Sequence, residues 1–225
     1  MNLTRLLQSQ GFGTRRACRG LIAAGRVAVA GELIADPERD VSAAGLNFLV
    51  DGVAWQYREK VYLMLNKPAG YECSRQPKHH PGVLSLLPAP LVERGVQPVG
   101  RLDEDTTGLL LLTDDGGFIH ALGSSKKKVP KVYRVTTRHA VADNQIAALL
   151  AGVLLNDEPV PIAVTGAEKL DEHSLRLTIT GGKYHQVKRM VAASGNRVEA
   201  LHRESVGPYV LPTDLEPGQW RWLDP

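Results

Sequence analysis

The spacing of apolar and polar residues divides this chain into two parts. Leu3, Leu6 and Leu7 repeat at helical spacing, and the pattern stops at Gly11. Thr14 supplies a side-chain oxygen where an N-cap belongs, and Arg15 to Ala24 reads as a second helix closed by Gly25. On that helix Ala17, Leu21 and Ala24 share one face, with Arg15, Arg16 and Arg19 largely off it. Arg26-Val27-Ala28-Val29-Ala30-Gly31-Glu32 alternates like a strand running into a turn. The polar stretch from Asp51 to Glu59 ends this module or begins a linker.

Beyond it, strand-like runs recur at Val61 to Leu65, Leu109 to Thr113, Val132 to Thr137, Leu175 to Thr180 and Val198 to His202. Helical patterns are fewer: Asp143 to Leu150 and Tyr184 to Ala193. In the second of these, Val187, Met190, Val191 and Ser194 follow i, i+3, i+4, i+7 spacing and should face a core, with Lys188 at the border of that stripe. Strands dominate and do not alternate regularly with helices. The fold class expected is α+β, with a mostly antiparallel sheet, divided into a small module over residues 1–58 and a larger domain over 59–225.

Composition narrows the function classes. Hydrophobic residues make up 43% of the 225 positions, enough for a buried core. No apolar run is long enough to cross a bilayer, and no apolar segment follows the N-terminus, so a secretory signal is not expected. Cys18 and Cys73 lack paired spacing and read as free thiols of a reducing compartment, which points to the cytoplasm. The net charge is only +3, but its placement is uneven. Met1 to Gly31 holds Arg5, Arg15, Arg16, Arg19 and Arg26 and no acid. Gly117 to Ala142 holds Lys126, Lys127, Lys128, Lys131, Arg134 and Arg138 and again no acid. Two such stretches on a nearly balanced chain suggest a polyanion-binding surface.

Some motifs lead nowhere. Gly11-Phe12-Gly13 lacks both the third glycine of a dinucleotide fingerprint and a preceding strand, and Gly181-Gly182-Lys183 lacks the spacing of a phosphate loop. Asp103-x-Asp105-x-Thr107-Gly108 partly matches a calcium loop. However, Pro98 and Gly100 break any helix ahead of it, and a strand run follows. The histidines show no ligand spacing among themselves, so no metal is expected.

The most informative segment runs from Gly100 to Gly116. An acidic, threonine-rich turn leads directly into the apolar run Leu109 to Leu112, where a carboxylate can be held against a rigid element. Thr113-Asp114-Asp115-Gly116 reads as a tight turn. The string Gly100-Arg101-Leu102-Asp103-Glu104-Asp105-Thr106-Thr107-Gly108 resembles the signature of pseudouridine synthases that modify ribosomal RNA, and looks closest to the ribosomal small-subunit synthase A subfamily. Other blocks agree in order: Met64 to Tyr71, Lys131-Val132-Tyr133, Gly182 to Met190, and Leu201-His202-Arg203. The first quarter of the chain, through Thr14-Arg15-Arg16, Leu21-Ile22 and Gly25 to Gly31, resembles the alpha-L RNA-binding motif.

The resemblance implies roles. Asp103 is the carboxylate that starts the chemistry, Tyr133 packs on the target base, Lys188 pairs with the aspartate, Leu201 walls the uracil pocket, and Arg101 stands near the vacated base position. Lysine at 188, where arginine is commoner, gives a point charge without a bidentate fork. RNA contacts fall to Arg15, Arg16, Arg19, Arg26, Lys126, Lys127, Lys128 and Arg189. Isomerisation breaks a C–N bond and makes a C–C bond between the same sugar and base, so no cofactor is required. Asp103 either adds covalently to the sugar or removes a sugar proton; the sequence leaves both open. The partner expected is ribosomal RNA, within a partly assembled small subunit, with the enzyme acting as a monomer. The alternatives are a large-subunit rRNA synthase, a noncatalytic RNA-binding or assembly protein, and, last, a hydrolase using Asp103 and Asp105.

Overall fold

The computed structural model describes residues 1–225, the side chain of Ser125 apart. It consists of two units: Met1–Val61 together with Leu87–Gln97, and Tyr62–Leu86 together with Pro98–Pro225.

The first unit begins with α1 (Leu3–Ser9) and α2 (Arg15–Ala23). Asn2 caps α1 by accepting from the Arg5 N–H at 2.9 Å, and Thr14 caps α2 by accepting from the Ala17 N–H at 3.3 Å. The strands β1 (Val27–Val29), β2 (Glu32–Leu33), β3 (Asn47–Val50) and β4 (Val53–Gln56) form an antiparallel sheet in the order β2-β1-β3-β4. Both of its hairpins turn on two residues with positive φ: Ala30–Gly31 at 51° and 82°, and Asp51–Gly52 at 53° and 78°. Two-residue turns of this hand match the twist of the flanking strands. The stretch from Asp51 to Glu59, expected to end the module or begin a linker, holds a hairpin tip followed by the fourth strand. The core joins Leu3, Leu6 and Leu7 to Cys18, Ile22, Phe48 and Val50. Thus α2 faces inward through Cys18 and Ile22, one residue round from the expected Ala17–Leu21–Ala24 face. Ile22 and Cys18 fill the space between α1 and the sheet, which two alanine methyl groups would leave underpacked. A short helix, α3 (Ala89–Glu93), completes the unit.

The chain passes from one unit to the other through the two-residue strand β6 (Gln97–Pro98), after β5 (Tyr62–Lys67) has opened the second unit. The other strands are β7 (Thr107–Thr113), β8 (Lys131–Thr137), β9 (Gly166–Lys169), β10 (Ser174–Ile179), β11 (Val198–Val206), β12 (Tyr209–Val210) and β13 (Trp220–Trp222). They run in the order β13-β5-β7-β11-β8-β10-β9, with β12 against β11. Along this path every pair is antiparallel except the central β7–β11 pair. Leu109, Leu110, Leu111 and Leu112 are all fully buried, so β7 is covered on both faces. The parallel approach is tight: a Cβ at Gly108 would lie 2.3 Å from the carbonyl oxygen of Arg203, and φ there is 101°. Only glycine fits.

Helices α4 (Gly116–Gly123), α5 (Asp143–Ala151) and α6 (Gln186–Ala193) belong to this unit. The Thr113–Gly116 segment, expected to be only a turn, starts α4. Asp115 caps it through the Gly117 N–H at 2.9 Å and accepts from the Tyr62 hydroxyl at 2.8 Å. On α6, Val187, Met190 and Val191 are buried, as their spacing predicted.

Candidate active site

The turn between Asp103 and Thr106 feeds β7, and its backbone is held from below. Lys67, fully buried at the end of β5, donates through Nζ to the carbonyl oxygens of Pro68 at 3.0 Å, Glu104 at 2.9 Å and Thr106 at 2.9 Å. All three ammonium protons are thereby used, two of them on the turn that carries Asp103. Burial pushes the Lys67 pKa down, partly opposed by Cys73 and the nearby carboxylates. The Thr106 N–H closes the turn on the Asp103 carbonyl at 3.1 Å.

Asp103 itself is about one-third exposed, and two basic side chains reach it from the start of α6. His185 Nε2 lies 3.4 Å from Oδ1, and Lys188 Nζ lies 3.5 Å from Oδ2. Lys188 bonds more closely to Asp105, at 2.6 and 2.8 Å. The expected one-to-one pair of Lys188 with Asp103 is thus a bridge between two aspartates, weighted toward Asp105. Partial burial pushes Asp105 up, but the hydrogen bond and charge of Lys188 outweigh it and hold that carboxyl below its usual range. His185 has a left-handed backbone, with φ 48° and ψ 34°, at the N-terminus of α6. For a non-glycine residue this costs about 1–2 kcal/mol, strain that the surrounding fold sustains. Tyr184, largely exposed, stacks on His185 with ring centroids 3.8 Å apart.

A cavity of about 440 Å3 adjoins these groups. Asp103, Arg101, Lys188, Tyr133 and Leu201 all line it, so every residue assigned to substrate binding meets at one place. The register explains how. Arg203 on β11 stands opposite Tyr133 on β8, and Leu201, two residues back, points the same way. Tyr133 and Leu201 are each only 7% exposed, whereas Arg101 is exposed at the rim. Cys73 also lines the wall; burial pushes its thiol up from the ordinary value, which keeps it protonated and unreactive.

The basic residues divide into engaged and available ones. Arg19 pairs with Glu38, and Arg26 forms a two-pronged pair with Asp51 at 2.6 and 2.7 Å. The acid-free first stretch is therefore partly neutralised by acids from later in the same unit. Arg15 and Arg16 are exposed and form no ion pair among the described residues. Lys126, Lys127 and Lys128 are likewise exposed. Arg189 pairs with Asp157 and donates to the Tyr184 carbonyl at 3.2 Å, so it braces the start of α6 instead of pointing free into solvent.

Sequence reasoning gave no site role to Lys67 or Arg203, placed Lys131 only in a basic stretch and a motif block, and did not foresee the contact of His185 with Asp103. Lys67 and Arg203 lie within the motif blocks, but nothing in their spacing distinguishes a buried cation from a surface one. That difference is decided by the strands that cover them.

Residues 61–193 match the family model described as RNA pseudouridylate synthase. The chain is 40% identical to ribosomal small subunit pseudouridine synthase A of Escherichia coli (strain K12), over 99% of this chain and 96% of that protein. It is 38% identical to the protein of the same name from Haemophilus influenzae, again over 99% and 96%. A solved structure, reported as the crystal structure of pseudouridylate synthase, superposes with a TM-score of 0.70 at 36% identity, covering all of this chain and 96% of the other.

Proposed function

This chain belongs to the RNA pseudouridylate synthase family, and from that premise we propose that it converts one uridine of small-subunit ribosomal RNA to pseudouridine, with Asp103 as the catalytic carboxylate. The observation that carries the reading is the position of Asp103: partly exposed, beside His185 and Lys188, on the rim of a cavity lined by Tyr133 and Leu201. A uridine buried in folded RNA hides its glycosidic bond, and extruding it costs a few kcal/mol. Tyr133 and Leu201 offer the flipped base a flat, apolar seat, and Arg101 at the rim takes the space it leaves. Asp103 then acts on the sugar, either by bonding to C1′ or by taking the C2′ proton. Both routes require an ionised carboxylate, and Lys188 Nζ stands 3.5 Å from its Oδ2.

Affinity for RNA comes from elsewhere on the chain. Arg15 and Arg16, with a smaller share from Arg19 and Arg26, give the first unit the phosphate contacts of an alpha-L module. Lys126, Lys127 and Lys128 add contacts on the second. The exposed Tyr184 ring, stiffened by its stack on His185, is available to a base next to the target. The choice of small-subunit RNA follows the names of the relatives, which align from end to end. A partly assembled particle in the cytoplasm is the substrate, and the protein works on it as a monomer without a cofactor.

The test is to offer purified protein naked small-subunit rRNA, its protein-bound precursor and large-subunit rRNA, and to map pseudouridine in each. One modified position in a small-subunit substrate is the expected result. Modification only in large-subunit rRNA would overturn the substrate and leave the chemistry standing. Wild-type turnover by Asp103→Asn would overturn the catalytic assignment.

A further inference from the structure

Arg203 is the largest side chain in the protein with almost no exposure, at 2%. Its Nε donates to the Leu109 carbonyl at 2.8 Å, while Nη2, equally buried, has no hydrogen-bond partner. A buried guanidinium nitrogen without an acceptor is costly, and it cannot escape by losing its proton. The side chain lines the cavity beside Tyr133, its cross-strand neighbour. Lys131, two residues before Tyr133, lines the same cavity and reaches only the Val129 and Gly181 carbonyls, at 3.2 and 3.4 Å. Burial, and after it the charge of Arg203, push the Lys131 pKa down. Among the described residues, neither cation has a carboxylate partner. The cavity thus holds two desolvated positive charges and a donor with nothing to donate to.

Building on the function proposed above, we propose that the Arg203 guanidinium shifts to bring Nη2 into the cavity, donates through it to a carbonyl oxygen of the target uracil and, with Lys131, holds the detached base as an anion while it turns. When the C1′–N1 bond breaks, its electron pair stays on N1 and delocalises over O2 and O4. The sugar is balanced by a bond from Asp103 to C1′ or by loss of the C2′ proton to Asp103. The ring then rotates, and C5 bonds to C1′ as Asp103 departs or returns the proton. C5 finally gives up its own proton to water and N1 takes one from water, so atoms and electrons balance on either route. One fixed donor suffices throughout. A half-turn about the N3–C6 axis that exchanges N1 with C5 also exchanges O2 with O4, so an oxygen occupies the same place before and after. Once Nη2 faces the cavity, a donor anchored at Nε by the Leu109 carbonyl needs no further rearrangement to serve both positions.

Single-turnover rates of wild type, Arg203→Met and Arg203→Lys on RNA carrying uridine or 5-fluorouridine at the target test this. Fluorine at C5 stabilises the uracil anion without help from the protein. Arg203→Met should slow C1′–N1 cleavage of uridine about 100- to 1,000-fold while leaving RNA affinity nearly unchanged. That deficit should shrink by about tenfold or more on 5-fluorouridine, and Arg203→Lys should recover part of the rate. A rate within about threefold of wild type, or an equal deficit on both bases, overturns the role; the equal deficit would mark a purely structural residue. Should Arg203→Met fail to fold, the same comparison of the two bases on Arg203→Lys decides. An inactive wild type overturns the proposed function and this role with it, whereas an active wild type beside an unimpaired Arg203→Met overturns this role alone.

Discussion

Lys188 donates to both oxygens of Asp105, at 2.6 and 2.8 Å, and stands 3.5 Å from Asp103. Two carboxylates two positions apart thus share one cation, the nearer partner being the one without a role in the isomerisation. Asp105 holds Lys188 in place, and Asp103 receives part of its charge without a tight bond that would block its access to a sugar.

That arrangement separates the two aspartates experimentally. Asp103→Asn keeps the side-chain shape and removes the ionised oxygen, so turnover should fall about 10⁴-fold with RNA binding retained. Asp105→Asn should leave Lys188 free to move onto Asp103 and reduce turnover by about tenfold or less. Single-turnover rates with binding isotherms for both variants check the split; equal losses would show that the two carboxylates act as one unit.

Lys67→Met removes the buried ammonium that holds the turn carrying Asp103. Three carbonyl oxygens lose a donor, each costing about 1–3 kcal/mol when buried. Unfolding free energy should drop by about 3 kcal/mol or more, and activity below the melting transition should fall with little change in RNA affinity. Denaturant unfolding and turnover measured on the same preparation check this.

Tyr133→Phe keeps the stacking face and loses the hydroxyl. Binding should be unchanged and turnover slowed, as expected of a hydroxyl that moves a proton. Unchanged turnover would reduce Tyr133 to a packing role.

Arg15 and Arg16 carry the available charge of α2, whereas Arg19 and Arg26 already hold Glu38 and Asp51. Replacing Arg15 and Arg16 with Ala should weaken RNA binding and flatten its log–log salt dependence by about 0.7–0.9 per lost phosphate contact. Arg19→Ala should change the slope less. Binding titrations across a salt series check the ranking.

His202 on β11 has its pKa pushed down by burial, and its Nδ1 lies 2.9 Å from the Thr107 hydroxyl. The folded protein therefore favours the neutral ring, while the unfolded chain binds a proton near the ordinary value of about 6.5. Stability from this group is complete above about pH 6.5 and is lost as pH falls toward the depressed folded value. Melting temperatures should decline through that window in wild type and decline less in His202→Gln.

How much was legible beforehand varied with the range of the interactions involved. The helices α1, α2, α5 and α6 and the strands β5, β7, β8 and β10 follow from local period and caps, because a 3.6- or 2-residue repeat is written in consecutive residues. The stretch from Asp51 to Glu59 reads as the end of the module or the start of a linker, and β4 within it goes unseen because Asp51–Gly52 signals a turn equally well in either setting. The start of α4 was read as a turn alone, since Asp115 caps a helix whose first residues are two glycines.

The resemblance of the motif blocks to a known family singled out Asp103, Tyr133, Lys188 and Leu201, and the fold gathers all four around one cavity. What the sequence by itself determined was the local material: apolar periods, an acidic turn set against a strand, and uneven basic stretches. Which charges are buried was decided only by the tertiary structure. Lys67 and Arg203 look like any other cations until β5, β7, β8 and β11 close over them, and Arg19 and Arg26 look free until Glu38 and Asp51 arrive from later in the chain. The environment of a charge depends on residues distant in sequence, and the cost of removing it from water depends on that environment.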